Sequence, residues 1–316
     1  MLLNREISRY KSNGLLGNLV GIALCLIFLK NWFAVCKYFW PMWIELGETY
    51  NLPDFVHCVI WYEVQTVTLH WLNCAVHYFI YVGKYPFLEQ YRAKATEDEQ
   101  WPWESMPTPE WRKKLKRSLW INIRNQILCN AFITVFMELT GLYHSHPKDL
   151  ESLPSVPVFA AQVIFCCMAE DVAFYFSHRA LHTPWLYKTV HKVHHENAVV
   201  YCLSAIHAHP VEYLLGNIGP MFLGPILLGK RMHVLSVAGW FFVRSTETID
   251  THSGYAFPWS PYRIMPFQLD QDYHFFHHES NVGNYATFFT WWDTIFGTNK
   301  AFYKAVYSDA NKKKSA

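Results

Sequence analysis

Long apolar runs separated by short polar stretches make up most of this chain. Leu15 to Phe28 reads Leu-Leu-Gly-Asn-Leu-Val-Gly-Ile-Ala-Leu-Cys-Leu-Ile-Phe, and further runs fall near 56–82, 119–143, 155–177, 211–229 and 232–249. A helix crosses the hydrocarbon core of a membrane with roughly 20 mostly apolar residues. The runs therefore predict an all-α, polytopic integral membrane protein rather than a soluble domain with a large core. The stretch from Val211 to Leu228 contains Gly and Pro, and with 232–249 it predicts a helical hairpin rather than two separate spans. The first run follows Arg5, Arg9 and Lys11 with no clear small-residue cleavage site after it, which predicts a span that is retained.

Composition agrees. Hydrophobic residues are 52% of the 316, aromatic ones 18%, and charged ones only 16%, against about 25% charged in an average soluble domain. The few charges give the spans a direction. The second span exits into Lys84, Arg92 and Lys94, then Arg112, Lys113, Lys114, Lys116 and Arg117, the most basic stretch of the chain. Lys/Arg bias predicts that this loop is cytoplasmic, and it lacks the interleaved aromatic residues of a nucleic-acid surface. The third span then leads to a nearly uncharged loop, 144–157, and the fourth returns to the first face at His178. The hairpin brings His252 back to that face as well. Eight cysteines are scattered mostly through apolar segments, without the spacing of a disulfide framework or a zinc ribbon.

The chemistry lies in the histidines. Of seventeen, most of those in the second half fall in short clusters: His178 and His182; His191, His194 and His195; His274, His277 and His278. His209 and His252 stand singly. Spacings of three and four place side chains on one helix face, and neutral imidazole is the commonest nitrogen ligand for metals. Packing three imidazoles beside a membrane is costly unless something compensates them. His57, His70, His77, His144, His146, His207 and His233 are isolated and read as ordinary structural residues.

Eight or more imidazoles exceed what one ion uses, so the pattern predicts two metal ions in a helical cap at the cytoplasmic ends of the spans. Nitrogen-rich ligands suit redox-active iron and dioxygen chemistry. A hydrolytic two-metal site is the rival, and it normally needs bridging carboxylates. The acids beside the clusters, Asp171 and Asp270 or Asp272, fit a supporting role behind the imidazoles. No glycine-rich dinucleotide fingerprint or haem-attachment motif is present, so an oxygenase would draw electrons from a partner at the cytoplasmic surface.

The patterns H-x-x-x-H, H-x-x-H-H and H-x-x-H-H resemble the fatty acid hydroxylase superfamily of membrane di-iron oxidases, and within it the 4-methylsterol monooxygenases. Also similar are Glu170-Asp171 leading to Tyr175-Phe-Ser-His178-Arg179, Ala208-His209-Pro210-Val-Glu212, and Glu247-Thr-Ile-Asp250-Thr-His252-Ser-Gly254-Tyr255. The tail Gly283-Asn284-Tyr285-Ala and Thr290-Trp-Trp-Asp293-Thr-Ile-Phe-Gly297-Thr matches too, so the resemblance covers roughly residues 155–300. Two departures stand out. Tyr273 and Ala256 occupy positions where some relatives carry histidine, so His252 has less support than in them. The Trp-rich stretch Glu99-Gln-Trp-Pro-Trp-Glu104 has no counterpart, and its composition fits an interfacial anchor.

The resemblance implies an enzyme that oxidises a sterol 4-methyl group stepwise, through alcohol and aldehyde, to a carboxylate during sterol biosynthesis. Its ligands would be His178, His182, His191, His194, His195, His209, His252, His274, His277 and His278, holding two iron ions, with zinc able to replace iron on isolation. Asp171, Glu196 and Asp250 are the candidates for supporting these ligands. Substrates would be a 4-methylsterol and dioxygen, with electrons from NAD(P)H through cytochrome b5 and its reductase, beside other enzymes of sterol 4-demethylation. Phe174, Tyr175, Trp185, Tyr187 and Phe275 would line a flat slot for fused rings. The alternatives are a sterol desaturase, a fatty acyl or sphingolipid hydroxylase, an aldehyde-forming wax enzyme, a non-catalytic sterol-binding protein, and a membrane zinc hydrolase. The organisation expected is 1–150 for the first spans and basic loop, 151–305 for the catalytic domain, and 306–316 for a basic cytoplasmic tail. Within that tail Lys313-Lys314-Ser315-Ala316 resembles a dilysine retrieval signal, which predicts a multi-pass protein of the endoplasmic reticulum membrane with its catalytic face cytoplasmic.

Overall fold

The structure is a computed structural model that describes residues 14–93, 100–141, 146–264, 267–268 and 271–305. The expectations resting on Arg5, Arg9, Lys11, Lys94, His144, Asp270 and the tail 306–316 lie outside these residues. Among the described residues the chain is helical, with isolated bridges at Arg92–Tyr255 and Gln268–Phe289 and no strand. The principal helices are α1 (Gly14–Thr49), α2 (Asp54–Gly83), α3 (Thr108–Thr140), α4 (Val156–Leu181), α5 (Gly219–Leu228), α6 (Val234–Thr251), α7 (Gln271–Ser280) and α8 (Trp291–Phe296).

Helix α6 is the axis. Every residue from Val234 to Phe241 is buried, because α1, α2, α4 and α5 all lie against it. Helices so enclosed are apolar all round, and the polar tips that reach them find backbone acceptors. Tyr62 Oη donates to Val234 O at 3.2 Å, Gln65 Nε2 to Ala238 O at 2.7 Å, and Trp32 Nε1 to Leu235 O at 2.8 Å. Trp240 Nε1 donates in turn to Met221 O on α5 at 2.9 Å. The resulting core joins Phe33, Trp40, Val59, Tyr62 and Ile133 to Phe159, Phe222, Leu235 and Trp240, so it runs continuously across the division near residue 150.

Among the described residues three helical stretches are long and apolar enough to cross a membrane: Gly14–Thr49, Val156–Leu181 and Pro210–Arg231. The first far outruns the expected Leu15–Phe28, continuing through Pro41 to Thr49, since Trp40 and Trp43 pack on Trp61 across the bundle. The runs near 56–82 and 119–143 fall in α2 and α3, which carry too many polar residues to join that group. Those polar residues point inward and tie the two helices together and to the chain beyond. His70 Nε2 meets Asn122 Oδ1 at 2.8 Å, Trp71 Nε1 donates to Gln126 Oε1 at 2.9 Å, and Asn125 Nδ2 donates to Ile206 O at 3.0 Å. Such ties hold helices together where lipid gives no hydrophobic drive between them. The helical hairpin predicted over 211–249 is present, turning at Gly229 between α5 and α6.

The Trp-rich segment is not an interfacial anchor. Trp101 is only 1% exposed, stacks on Trp103 at 4.9 Å and packs on Tyr81 and Tyr255, with the Arg92 guanidinium 4.3 Å above its ring. It closes one end of the bundle from inside. The basic start of α3 reaches that same end, where Arg117 makes a bidentate pair with Glu196 and Lys114 donates to the Glu196 carbonyl.

Helices α4 and α5 approach closely, and the approach depends on a missing side chain. A Cβ on Gly224 would stand 2.7 Å from Cys166 Cα and 2.7 Å from its Sγ. Backbone cannot give way as a flexible side chain would. Gly224→Ala is expected to cost about 1–3 kcal/mol, measured as a lower thermal midpoint of the purified protein in detergent. An unchanged midpoint would mean that α4 and α5 can separate without loss.

Candidate metal centre

Four pieces of chain meet at the end of the bundle. The last turn of α4 supplies His178, and His182 caps that helix. A short 3₁₀ helix, His191–Glu196, supplies His191, His194 and His195. Helix α7 supplies His274, His277 and His278, and His252 caps the end of α6. The spacing of four on α4 and of three and four on α7 puts each set on one face.

The side chains sort into two groups. His178, His182, His191, His195 and His277 converge in one, and His194, His252, His274 and His278 in the other. Within each group the ligating nitrogens lie within 4.8 Å of one another, and only His182 is less than fully buried. The H-x-x-H-H motifs do not map one to each group. His191 and His195 turn to the first while His194 between them turns to the second; His277 joins the first while His274 and His278 join the second. Both motifs therefore bridge the two groups.

The distances fit a metal in each. His182 Nε2 lies 2.9 Å from His191 Nε2 and 3.2 Å from His277 Nε2, and His195 Nε2 lies 3.0 Å from His191 Nε2. In the second group His274 Nε2 is 3.0 Å from His252 Nε2 and 3.1 Å from His278 Nε2. With metal–nitrogen bonds of about 2.1 Å, neighbouring ligands at right angles stand about 3.0 Å apart.

Hydrogen bonding fits a cation too. His178 Nδ1 donates to Tyr285 O at 2.9 Å, His277 Nδ1 to Gly283 O at 2.6 Å, His194 Nδ1 to His207 O at 3.2 Å and His252 Nδ1 to Thr248 O at 2.8 Å. His191 Nδ1 lies 2.9 Å from Glu212 Oε1. A neutral imidazole has a single N–H, so in each of these the inward Nε2 bears a lone pair. His178 Nε2 is buried with no hydrogen-bond partner. Burial lowers the imidazole pKa of both His182 and His194 to about 4, which keeps them in the neutral, ligating form. Lone pairs gathered this closely form a donor set for a cation.

The structure brings together nine of the ten histidines that the sequence offers. It leaves out His209, whose Nδ1 instead accepts the Val211 N–H at 3.2 Å and caps a helix start. His252 is not poorly supported; it completes the second group. Among the isolated histidines that were described, none joins either group. The three supporting acids touch no ligand directly. Asp171 accepts from Phe288 N, Phe289 N and Trp291 Nε1. Glu196 accepts from His207 Nε2 and pairs with Arg117. Asp250 pairs with Arg263 and accepts from Ser260.

Sequence reasoning missed the groups that do this work. Glu212 is the carboxylate on a ligand. Asp293 accepts from Tyr285 N, Ala286 N and Thr298 Oγ1, so Asp293 and Asp171 together brace the 283–291 loop whose carbonyls aim His178 and His277. Gly283 (φ +71°) sits where a Cβ would fall 1.8 Å from Thr298 O, a position open only to glycine. All three stand inside the family-like stretches quoted above, the sole signal that pointed to them.

One cavity reaches the histidines, and a larger one adjoins it between α2, α3, α5 and α6. The walls of the larger are mostly apolar, with Ile133, Met221, Phe222 and Phe241. Of the aromatic residues expected to form a slot, Phe174 lines the smaller cavity. Tyr175 packs instead on Phe296, Phe275 is buried against Ala93 and Val200, Tyr187 lies against the His182 and His195 rings, and Trp185 is exposed. Arg244 lines both cavities, held by Glu170 and Glu247 as a buried charge must be.

The fatty acid hydroxylase family matches residues 163–298. Methylsterol monooxygenase 1 of Gallus gallus is 36% identical over 231 residues, 72% of each chain. Methylsterol monooxygenase 2-1 of Arabidopsis thaliana is 35% identical over 243 residues, 72% of this chain and 83% of its own. The very-long-chain aldehyde decarbonylase GL1-11 of Oryza sativa subsp. indica is 43% identical over a shorter stretch, 156 residues, or 48% of this chain and 58% of its own. No solved structure matches at a significant level.

His277→Ala should remove the metal of the five-histidine group, so that metal per chain falls by about half in elemental analysis. Glu212→Gln should keep the fold but weaken metal retention about 10–100-fold against a chelator. Gly283→Ala should behave like His277→Ala, because it displaces the carbonyl that aims that ring. Full metal content in both His277→Ala and Gly283→Ala would exclude the five-histidine group as a ligand set.

Proposed function

The chain belongs to the methylsterol monooxygenase family, and from that premise we propose that it oxidises a 4-methyl group of a sterol to a carboxylate, using two iron ions held by the nine converging histidines. The observation that carries this reading is the all-histidine donor set opening onto a large apolar cavity. Among the described residues no carboxylate joins either group, which favours redox chemistry over a hydrolytic pair bridged by acids.

The bound metals would supply activation of dioxygen. Each step takes one O₂, two electrons and two protons: the first gives the alcohol and one water, the second the aldehyde and two waters, the third the carboxylic acid and one water, and the acid then loses its proton. The protein's own contribution is position and dryness. Gly283, Tyr285, His207 and Thr248 carbonyls and the Glu212 carboxylate fix the ligand rings before any substrate arrives, so no ligand reorganises during reaction. Ile133, Met221, Phe222 and Phe241 exclude water from the approach, and a dry site suppresses side reactions of the oxidant. A substrate that reaches a site at the ends of apolar helices is a lipid entering sideways.

Electrons are proposed to come from NAD(P)H through cytochrome b5 and its reductase, and the product to pass to other enzymes of sterol 4-demethylation. The enzyme is proposed to lie in the endoplasmic reticulum membrane with its catalytic face cytoplasmic. The orientation is supported by the basic start of α3, which grips the histidine-bearing turn through Glu196 and belongs on the cytoplasmic side by Lys/Arg bias.

Microsomes containing the protein should convert 4,4-dimethylzymosterol or a similar 4-methylsterol to its 4-carboxy derivative, with a requirement for dioxygen and NAD(P)H and slower turnover when cytochrome b5 is withdrawn. Consumption of a long-chain aldehyde with the sterol untouched would favour the chemistry of the rice relative instead. In sealed vesicles, a single reporter cysteine at Ser152 should be labelled only from the lumenal side; labelling from the cytoplasmic side would overturn the orientation.

A further inference from the structure

Ala205, Asn217, Arg244 and Thr248 line both cavities. A sterol lying along them has one workable direction. Its reacting methyl must face the histidines, so ring A points to the smaller cavity and the remaining rings and tail point to the larger one. A sterol carries a hydroxyl on C3, next to C4. Covalent geometry holds that oxygen within about 4 Å of the methyl carbon. The group that recognises the hydroxyl must therefore lie beside the metals and not at the far end of the larger cavity.

Six polar side chains other than histidine line the smaller cavity: Glu212, Asn217, Arg244, Thr248, Thr251 and Thr287. Glu212 is engaged by His191, and Arg244 by Glu170 and Glu247. Thr248 Oγ1 donates to Arg244 O and Thr251 Oγ1 to Glu247 O. Among the described residues Asn217 and Thr287 have no side-chain hydrogen bond, and only Asn217 also faces the larger cavity. Its backbone is unusual as well. Residues Tyr213–Ile218 form a π-helical turn, an irregularity that re-aims side chains and is frequent at functional sites. An amide on a cavity wall with no partner in the protein can take a ligand hydroxyl as donor or acceptor.

We propose that Asn217 binds the C3 hydroxyl of the substrate and thereby fixes ring A with its C4 methyl toward the metals. The proposal rests on the sterol reading above and adds the residue that selects 3-hydroxysterols. An amide offers both a donor and an acceptor, so it pairs with a hydroxyl in either rotamer.

The test compares kcat/KM for a 4-methylsterol and for its 3-deoxy analogue in wild type, Asn217→Ala and Asn217→Leu, with metal content measured in each. Wild type should prefer the hydroxylated substrate by about tenfold or more, and both variants should lose most of that preference while keeping their metal. A preference that survives in the variants overturns the proposal, as does equal use of both substrates by wild type. Loss of metal from both variants overturns it too, since Asn217 would then be a prop for the site. Oxidation of neither sterol by metal-loaded wild type overturns the substrate reading itself, and this assignment with it.

Discussion

Neutral imidazoles with lone pairs turned toward one another are the condition that the rest of this structure serves. His182, His191 and His277 hold their Nε2 atoms about three ångströms apart, close enough for one cation to be held by all of them, and the protein is arranged so that the rings await it. Backbone carbonyls, not flexible side chains, take the outward N–H of four ligands. A carbonyl cannot change its rotamer or its charge, so it fixes the tautomer as firmly as the backbone itself is fixed. The demand then moves outward, to whatever immobilises those carbonyls.

That outer support comes from buried acids and from tight backbone approach. Asp171 and Asp293 each gather several donors from the 283–291 loop, and Gly283 lets the loop lie against Thr298 O. On the other side Asn122, Asn125 and Arg124 donate to carbonyls of Leu203, Ile206 and Ala208, anchoring the segment that carries His207. Helices that look like ordinary spans thus spend their polar residues on the site, and this is why α2 and α3 are less apolar than α1 and α4. The same constraint set by the converging histidines reaches into the apolar helices of the chain.

How much of this was legible follows from what spacing can express. His178/His182 and His274/His277/His278 were readable because a helix turns a spacing of four into adjacency. The role of His252 was readable only as a candidate, since a lone residue carries no period, and His209 was indistinguishable from it until its Nδ1 proved to cap a turn. Glu212, Asp293 and Gly283 act on partners that are distant in sequence or on backbone atoms, and neither leaves a periodic mark. Asp171 was singled out for lying near a cluster, yet its carboxylate points at backbone amides on another segment. Trp101 was taken for a surface residue by its type, whereas burial against Tyr81 and Tyr255 depends on contacts the sequence does not display. The helical hairpin, by contrast, followed directly from where Gly and Pro interrupt the apolar run.

Because both H-x-x-H-H motifs divide their imidazoles between the two groups, neither group is complete on any one stretch of chain. The first needs α4, the 191–196 turn and α7; the second needs that turn, α6 and α7. A nascent chain that has emerged only as far as α6 holds His178, His182, His191, His194, His195 and His252, but lacks the residues that close either set and the loop that orients two of the rings. With α6 in place the first set has four of its five histidines and the second has two of its four, and both close only when α7 is added. Neither donor set is complete while the chain is still inserting.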